Sequence, residues 1–270
     1  MRRALRPGSG QARKRFGQHF LEPAWVAKLV TALDAHPDDT ILEFGPGRGA
    51  LTVPLAARVK RLLAVEIDRD LVAALPAQVP DIQLVEADFL DIDLSDLLRA
   101  TPKPVRVVGN LPYNVASPIL FKLLHEASDG RVLSDATLML QKEVADRLVA
   151  RPGSDGYGAL AIQVALLADA ERILSLPPGA FRPPPKVKSA VVRLRFREPA
   201  VDVGDRSTFE KLVRGLFLQR RKTLANALKP VADSIGQSTR ELIERARVDA
   251  SRRPEALTLD DFARLARAML

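Results

Sequence analysis

Four consecutive residues, Asn110-Leu111-Pro112-Tyr113, combine an amide, a rigid turn and an aromatic ring directly after the apolar run 105–108. Such a run predicts a buried strand, and open α/β sheets bind ligands at the carboxyl ends of their strands. The Asn110 amide can accept a hydrogen bond from an amine, Pro112 fixes the backbone, and Tyr113 offers a flat face to a base. The segment therefore indicates a site that holds a nucleobase amino group in front of an electrophile. An ordinary strand-to-helix turn is the alternative, because Asn and Pro are common turn residues.

A second group of residues predicts a cofactor site. The segment Glu43-Phe44-Gly45-Pro46-Gly47-Arg48-Gly49 follows a strand candidate, Glu66 ends the next strand candidate, and Asp88 follows the third. The glycine spacing differs from the G-x-G-x-x-G pattern of dinucleotide sites, and a carboxylate before the loop would repel a pyrophosphate. S-adenosylmethionine suits the set better: its amino acid end matches Glu43 with the glycines Gly45 and Gly47, its ribose matches Glu66, and its adenine amine matches Asp88. Singly, each acid could equally be a helix cap or a solvated strand end.

Periodicity along the first part of the chain predicts an α/β fold. Short apolar runs alternate with segments of helical spacing, which is typical of a Rossmann-like parallel sheet with helices on both faces. The strand candidates are 40–44, 61–66, 82–86, 105–108 and 136–140. Because parallel strands end at one edge, we expect Glu66, Asp88 and Asn110 to converge on one cavity.

The pattern changes in the last third of the chain. Strand candidates at 171–176 and 189–196 flank a proline-rich loop, and only helical spacing follows from residue 207. This predicts a small C-terminal helical domain. The expected division is a disordered basic tail over 1–12, a catalytic domain over 13–200 and a helical domain over 205–270.

Composition narrows the partners and the chemistry. The formal net charge is +8, and clusters at Arg13-Lys14-Arg15 and at Arg220-Arg221-Lys222, the second expected on a helix, favour an extended anionic partner such as RNA. The absence of cysteine excludes a thiolate nucleophile and a cysteine metal site, and it fits a cytoplasmic protein. No apolar run reaches the roughly 18–20 residues that span a bilayer. We expect neither a metal nor a membrane partner.

With Asn110–Tyr113 added, the chain resembles the ribosomal RNA adenine N6-dimethyltransferase family, most of all its bacterial small-subunit (16S rRNA) members. Position 19 is His where many members carry Asn, and a neutral His can make a similar hydrogen bond. The other segments that carry the resemblance are Arg13–Leu21, Glu43–Gly49, Val65–Asp68, Glu86–Asp88, Leu140–Leu148 and Phe181–Ser189.

The resemblance implies an S-adenosylmethionine-dependent methyltransferase sheet that dimethylates N6 of two adjacent adenosines near the 3′ end of 16S rRNA, in the immature small ribosomal subunit. It places the basic helical C-terminal part against rRNA, where we expect Arg220, Arg221 and Lys222 to contact phosphates. We also expect a monomer. In the catalytic motif, Asn110 and the Leu111 carbonyl would accept from N6, Pro112 would fix the turn, and Tyr113 and Phe181 would stack on the target base. The cofactor contacts it implies are His19, Leu21, Gly45, Glu66, Asp88 and Asn110.

Other functions stay open at this stage. Large-subunit rRNA methyltransferases share the chemistry, DNA adenine methyltransferases use a related tetrad with Pro where Leu111 stands, and an rRNA-binding assembly factor would need no catalysis. A Rossmann dehydrogenase fits least well.

Overall fold

Nine strands form in the computed structural model, which describes residues 19–112, 115–129 and 132–270. The five strands predicted for the first part of the chain are confirmed, and Asn110 is the last residue of its strand and does not follow it. The strands are β1 (Phe20–Leu21), β2 (Thr40–Phe44), β3 (Arg61–Glu66), β4 (Gln83–Glu86), β5 (Val105–Asn110), β6 (Leu133–Gln141), β7 (Ala168–Leu176), β8 (Phe181–Arg182) and β9 (Ser189–Phe196).

Seven of these strands form one sheet in the order β4-β3-β2-β5-β6-β9-β7. The first five are parallel, as predicted, whereas β9 is antiparallel to both β6 and β7. The chain runs outward from β2 through β3 to β4 and then returns to start β5 on the other side of β2. The strand order therefore reverses between β2 and β5, and such a switch point opens a crevice at the carboxyl ends of the strands.

Helices fill the connections, and their apolar sides bury against the sheet. The helix α7 is buried nearly all round, which explains why its sequence is apolar without a polar face. The helices are α1 (Pro23–Leu33), α2 (Thr52–Ala56), α3 (Arg69–Ala74), α4 (Leu94–Leu97), α5 (Ala116–Glu126), α6 (Lys142–Leu148), α7 (Ala159–Leu167), α8 (Arg206–Leu218), α9 (Leu224–Ser234), α10 (Thr239–Ala246) and α11 (Leu259–Ala268). No helix in the described part of the chain is both long enough and apolar enough to cross a membrane.

From Arg206 onward all the regular elements are helices, as predicted for the segment that follows residue 207. These helices share one continuous apolar core with the sheet. The Tyr157 hydroxyl donates to the Leu257 carbonyl at 2.8 Å, and its ring lies edge-on to Phe217 at 6.1 Å. The separation into two domains at residues 200–205 stays a prediction, and the tail over 1–12 lies outside the described residues.

A two-stranded pairing that the sequence did not predict joins the N-terminal segment to the proline-rich loop. Strand β8 interrupts that loop and pairs antiparallel with β1, so that Phe20 lies opposite Arg182 and Leu21 opposite Phe181. The Glu22 N–H donates to the Ala180 carbonyl at 2.9 Å, and the Glu22 carboxylate pairs with Arg182. The segment His19–Glu22, called the strap below, is thereby fixed to the proline-rich loop.

Candidate active site

The strand register places the polar residues at the ends of three strands along the same edge of the sheet. In the sheet, Phe44 pairs with both Val65 and Gly109, so Glu66 and Asn110 each project one residue beyond it. Glu66 in turn pairs with Glu86, two residues before Asp88. The expected convergence of these side chains follows directly from parallel pairing.

A cavity of about 270 Å³ opens at this edge of the sheet, beside the switch point between β2 and β5. Glu66, Asp88 and Asn110 all line it, together with the strap and the glycine loop. The predicted residues found in its wall are His19, Leu21, Glu43, Gly45, Gly47, Glu66, Asp88, Asn110, Leu111 and Pro112.

Glu66 is held by the backbone around it. Its Oε1 accepts from the N–H groups of Ile67 at 2.9 Å and Asp68 at 3.0 Å, and its Oε2 accepts from Gly47 N–H at 3.0 Å. A carboxylate has about four acceptor positions, so these three bonds leave one, on Oε2. Glu66 thus hydrogen-bonds the glycine loop to the end of β3. One acceptor position on Oε2 remains for a ligand hydroxyl.

Asp88 lines the cavity next to an aromatic residue. Its Oδ1 accepts from Leu90 N–H at 2.9 Å, which closes the turn after β4 and leaves Oδ2 for a ligand amine. The Phe89 ring lines the cavity and lies 4.4 Å from the Phe44 ring, centroid to centroid. An acid beside a flat apolar wall suits a purine that carries an exocyclic amine.

Glu43 is a buried acid at the cavity. Only 2% of its surface is exposed, and its Oε2 has no hydrogen-bond partner among the described residues. Burial raises the pKa of Glu43 to about 7; the Thr52 side chain opposes this rise, and the charge of Glu66 adds to it. A cation in the cavity would favour the ionised form of Glu43, so the site suits a ligand with an ammonium or sulfonium group.

The glycine loop passes close beneath the strap. Gly47 has a φ of 58°, a left-handed conformation that favours glycine, and a Cβ there would lie 3.4 Å from the Phe20 ring. The Arg48 guanidinium lies over that ring, 4.3 Å from its centroid. Phe20 therefore contacts two residues of the glycine loop, and it lines one side of the cavity.

The Asn110 amide has a fixed orientation. Its Nδ2 donates to the His19 carbonyl at 2.9 Å, so Oδ1 is the atom left to accept. His19 Nδ1 lies 2.7 Å from the Pro183 carbonyl, which can only accept, so Nδ1 carries the proton. The strap thus links the proline-rich loop to Asn110 at the end of β5.

Gly109, next to Asn110, allows the two strands to approach. A Cβ on Gly109 would lie 2.6 Å from two carbons of the Phe44 ring. Asn110 keeps its place because the residue before it has no side chain.

Phe181 differs from expectation, and some other predicted residues lie outside the part of the chain that the structure describes. Phe181 is 2% exposed and packs in a core cluster with Leu21 and Met139, outside the cavity wall, because β8 pairing turns its side chain inward. The base-stacking role expected of Phe181 therefore has no support in this arrangement. Tyr113 lies outside the described residues, as does the cluster Arg13–Arg15.

The second basic cluster is exposed but not helical. Helix α8 ends at Leu218, and Arg220, Arg221 and Lys222 lie in the turn before α9, where Lys222 N–H donates to the Gln219 carbonyl at 2.9 Å. The expectation that they lie on a helix is wrong, because the helical spacing of α8 stops short of them.

Sequence reasoning missed most of the apolar residues of the cavity wall, and three of them are adjacent to predicted residues. Phe20, Ile67 and Phe89 each stand next to a predicted polar residue in the chain, and Ile67 is 46% exposed. An apolar residue directly after a strand-end acid was the available signal. Among the described residues, no group of three His, Asp or Glu side chains could hold a metal ion.

The parallel sheet, the glycine loop after β2 and the acids after β3 and β4 define the class of S-adenosylmethionine-dependent methyltransferases. The model of the family "Ribosomal RNA adenine dimethylase" matches residues 9–269. The chain belongs to this family; it is an rRNA adenine dimethyltransferase that uses S-adenosylmethionine as its methyl donor.

Relatives match along nearly the whole chain. "Ribosomal RNA small subunit methyltransferase A" of Xanthomonas oryzae pv. oryzae is 44% identical over 263 residues, 96% of each chain. The protein of that name from Chromobacterium violaceum is 45% identical over 258 residues, 94% of each.

Two solved structures are also similar. A dimethyladenosine transferase from Plasmodium falciparum superposes with a TM-score of 0.76 at 25% identity, covering 92% of this chain and 96% of that one. The 23S rRNA methyltransferase ErmE superposes with a TM-score of 0.66 at 27% identity, covering 93% and 99%.

The cavity fits the methyl donor. The orphaned Glu43 Oε2 suits a cationic amino acid end, Glu66 Oε2 a ribose hydroxyl, and Asp88 Oδ2 an adenine amine. The apolar wall formed by Ile67 and Phe89 suits the purine faces.

Proposed function

We propose that this enzyme dimethylates N6 of two adjacent adenosines near the 3′ end of 16S rRNA, in the immature small ribosomal subunit. We further propose that it acts as a monomer in the cytoplasm. The names of its relatives at 44–45% identity support the small-subunit substrate. The observation that supports the chemistry is the convergence of Glu66, Asp88 and Asn110 on one cavity, with the Asn110 amide already oriented.

In the proposed mechanism, the protein aligns the adenine amine and needs no nucleophile of its own. When bound, S-adenosylmethionine supplies a methyl group on a sulfonium. Asn110 Oδ1 and the Leu111 carbonyl accept from the two N6 hydrogens, which aims the nitrogen lone pair at the methyl. As the bond from N6 to the methyl carbon forms, the bond from that carbon to sulfur would break, and one of the two N6 protons would leave to water. Alignment of this kind is worth effective molarities of about 10⁵ M or more.

The backbone of the motif supports this geometry. Leu111 is 1% exposed, and its N–H donates to the Met139 carbonyl at 3.1 Å, so the peptide that joins it to Asn110 is held by the neighbouring strand. Pro112 limits the next turn. Tyr113 would stack on the flipped base, since base–aromatic stacking is worth roughly 1–3 kcal/mol.

The second transfer uses fewer contacts. N6-methyladenine has one hydrogen left, so one of the two acceptors is released and the pocket must admit a methyl group. The apolar residues Val115 and Ile119 in the cavity wall suit such a group.

The exposed cations Arg220, Arg221 and Lys222 would bind rRNA phosphates. Their place in a turn allows all three to face one RNA backbone, and no described acidic side chain pairs with them.

Methyl transfer to unmodified rRNA tests the proposal. The substrates are naked 16S rRNA, small subunits that lack the modification, and 23S rRNA, with fragment mass mapping of the product. We expect two adjacent dimethyladenosines near the 3′ end of 16S rRNA. Transfer to 23S rRNA alone would show that the substrate is the large-subunit rRNA. Transfer to none of the three substrates would indicate a protein that binds rRNA without modifying it. Light scattering during size exclusion tests the monomer.

A further inference from the structure

Leu218, the last residue of α8, is an unusually exposed apolar residue. It is 80% exposed, the largest fraction among the exposed large apolar side chains in the described ranges. Single exposed leucines are ordinary on proteins. The exposure of Leu218 therefore indicates a binding site only in combination with the charged residues near it.

Helix α8 places Leu218 in line with two cations. Phe209, Leu212 and Leu216 are buried against the core. Lys211 and Arg214 are exposed, seven and four residues before Leu218, and this spacing puts all three side chains on the face away from the core.

Further cations follow Leu218 at once. The basic ridge is defined here as Arg214, Leu218, Arg220, Arg221 and Lys222, all exposed. Within the described part of the chain, none of its four cations forms an ion pair. Other arginines of the C-terminal helices do pair, such as Arg206 with Glu210 at 2.9 Å and Arg240 with Glu244 at 2.8 Å. The ridge thus combines one exposed apolar side chain with four nearby cations of the chain that form no ion pair among the described residues.

We propose that Leu218 is a binding residue that packs on the face of an unstacked nucleoside of the rRNA while the cations around it bind phosphates. The inference rests on the proposed rRNA substrate. Single-stranded rRNA presents negative charge and flat apolar faces together. A partner with apolar surface alone would leave four cations unpaired, and a duplex would offer Leu218 only a charged backbone.

The test separates apolar from ionic binding. Affinity for unmodified small subunits is measured at several salt concentrations for the wild type, Leu218→Ser, Leu218→Met and Arg221→Gln. Leu218→Ser should weaken binding about tenfold, as expected for exposing a buried leucine side chain, with an unchanged slope of log affinity against log salt. Leu218→Met should bind like the wild type. Arg221→Gln should lower the slope by about 1.

Ile235→Ser is the matched control. Ile235 is 43% exposed on the same group of helices, beside Asp233 and away from the ridge in sequence, and its replacement should leave affinity unchanged. Wild-type affinity in Leu218→Ser, an equal loss in Ile235→Ser, or a slope change like that of Arg221→Gln would each overturn the inference. Failure of the wild type to bind small subunits would instead overturn the proposed function.

Discussion

Asn110 Nδ2 donates to the backbone carbonyl of His19 at 2.9 Å, although 91 residues separate them in the chain. This bond leaves Oδ1 as the amide atom that can accept a further hydrogen bond, and it joins the strap to the end of β5. The strap in turn is paired with β8. The orientation of the Asn110 amide therefore depends on three segments that are distant from one another in the chain.

Replacing Asn110 tests its acceptor role. Asn110→Ala removes both the acceptor for N6 and the bond to His19, and we expect methyl transfer to fall at least about 100-fold, since small losses of alignment cost that much. Single-turnover transfer at saturating cofactor measures the chemical step. Calorimetric binding of S-adenosylhomocysteine should change far less, because Glu66 and Asp88 remain. Wild-type turnover in this variant would remove Asn110 from the mechanism.

Gly109 offers a steric test of the same strand end. The added methyl of Gly109→Ala would meet the Phe44 ring at 2.6 Å, and overpacking of this kind costs about 1–3 kcal/mol. We expect that loss in the free energy of unfolding, together with reduced transfer from a displaced Asn110. Gly179→Ala is the control, because no atom lies within 4 Å of its added Cβ and its backbone is not left-handed. Equal stabilities of the two variants would refute the packing argument.

Glu43 predicts a pH dependence of stability. Its pKa is about 7 in the folded protein, against 4.5 as the ordinary value. Between these values the folded state holds a proton that the unfolded state has released. Stability therefore falls as pH rises from about 4.5 to 7 and then levels off. The pKa difference of Glu43 corresponds to a loss of about 3 kcal/mol in the free energy of unfolding. Urea unfolding at pH 5 and pH 8 measures it.

Two variants isolate the contribution of Glu43. In Glu43→Gln the free energy of unfolding should change less between pH 5 and pH 8 than in the wild type. In Glu86→Gln, an exposed acid at the end of β4, the wild-type difference should persist. Binding of the cationic methyl donor near pH 6.5 should release a proton from the wild type and not from Glu43→Gln, as calorimetry in two buffers would show.

The sequence predicted most of the site because its chemistry lies at strand ends. Glu66, Asp88 and Asn110 each end or follow an apolar run, and parallel pairing alone brings them together. The position of β9 between β6 and β7 could not be predicted, since order along the chain does not set order in a sheet.

The sequence was least informative where two strands pair over only a few residues. The two residue pairs of β1 and β8 leave no periodic pattern, so the burial of Phe181 and the fixing of the strap were invisible. The turn at Arg220–Lys222 lacks glycine or proline to mark the end of α8, which led to its assignment as helix.

Phe20 provides the last test, directed at the strap as a wall of the cofactor site. Its ring covers Gly47 and lies under Arg48, and Phe20→Ala would open that side of the cavity. Loss of this apolar contact should weaken S-adenosylmethionine binding about tenfold, with a smaller effect on transfer at saturating cofactor. Phe121→Ala is the matched control, because Phe121 is 42% exposed on α5 and does not line the cavity. Equal cofactor affinity in Phe20→Ala and the wild type would show that the strap does not close the site.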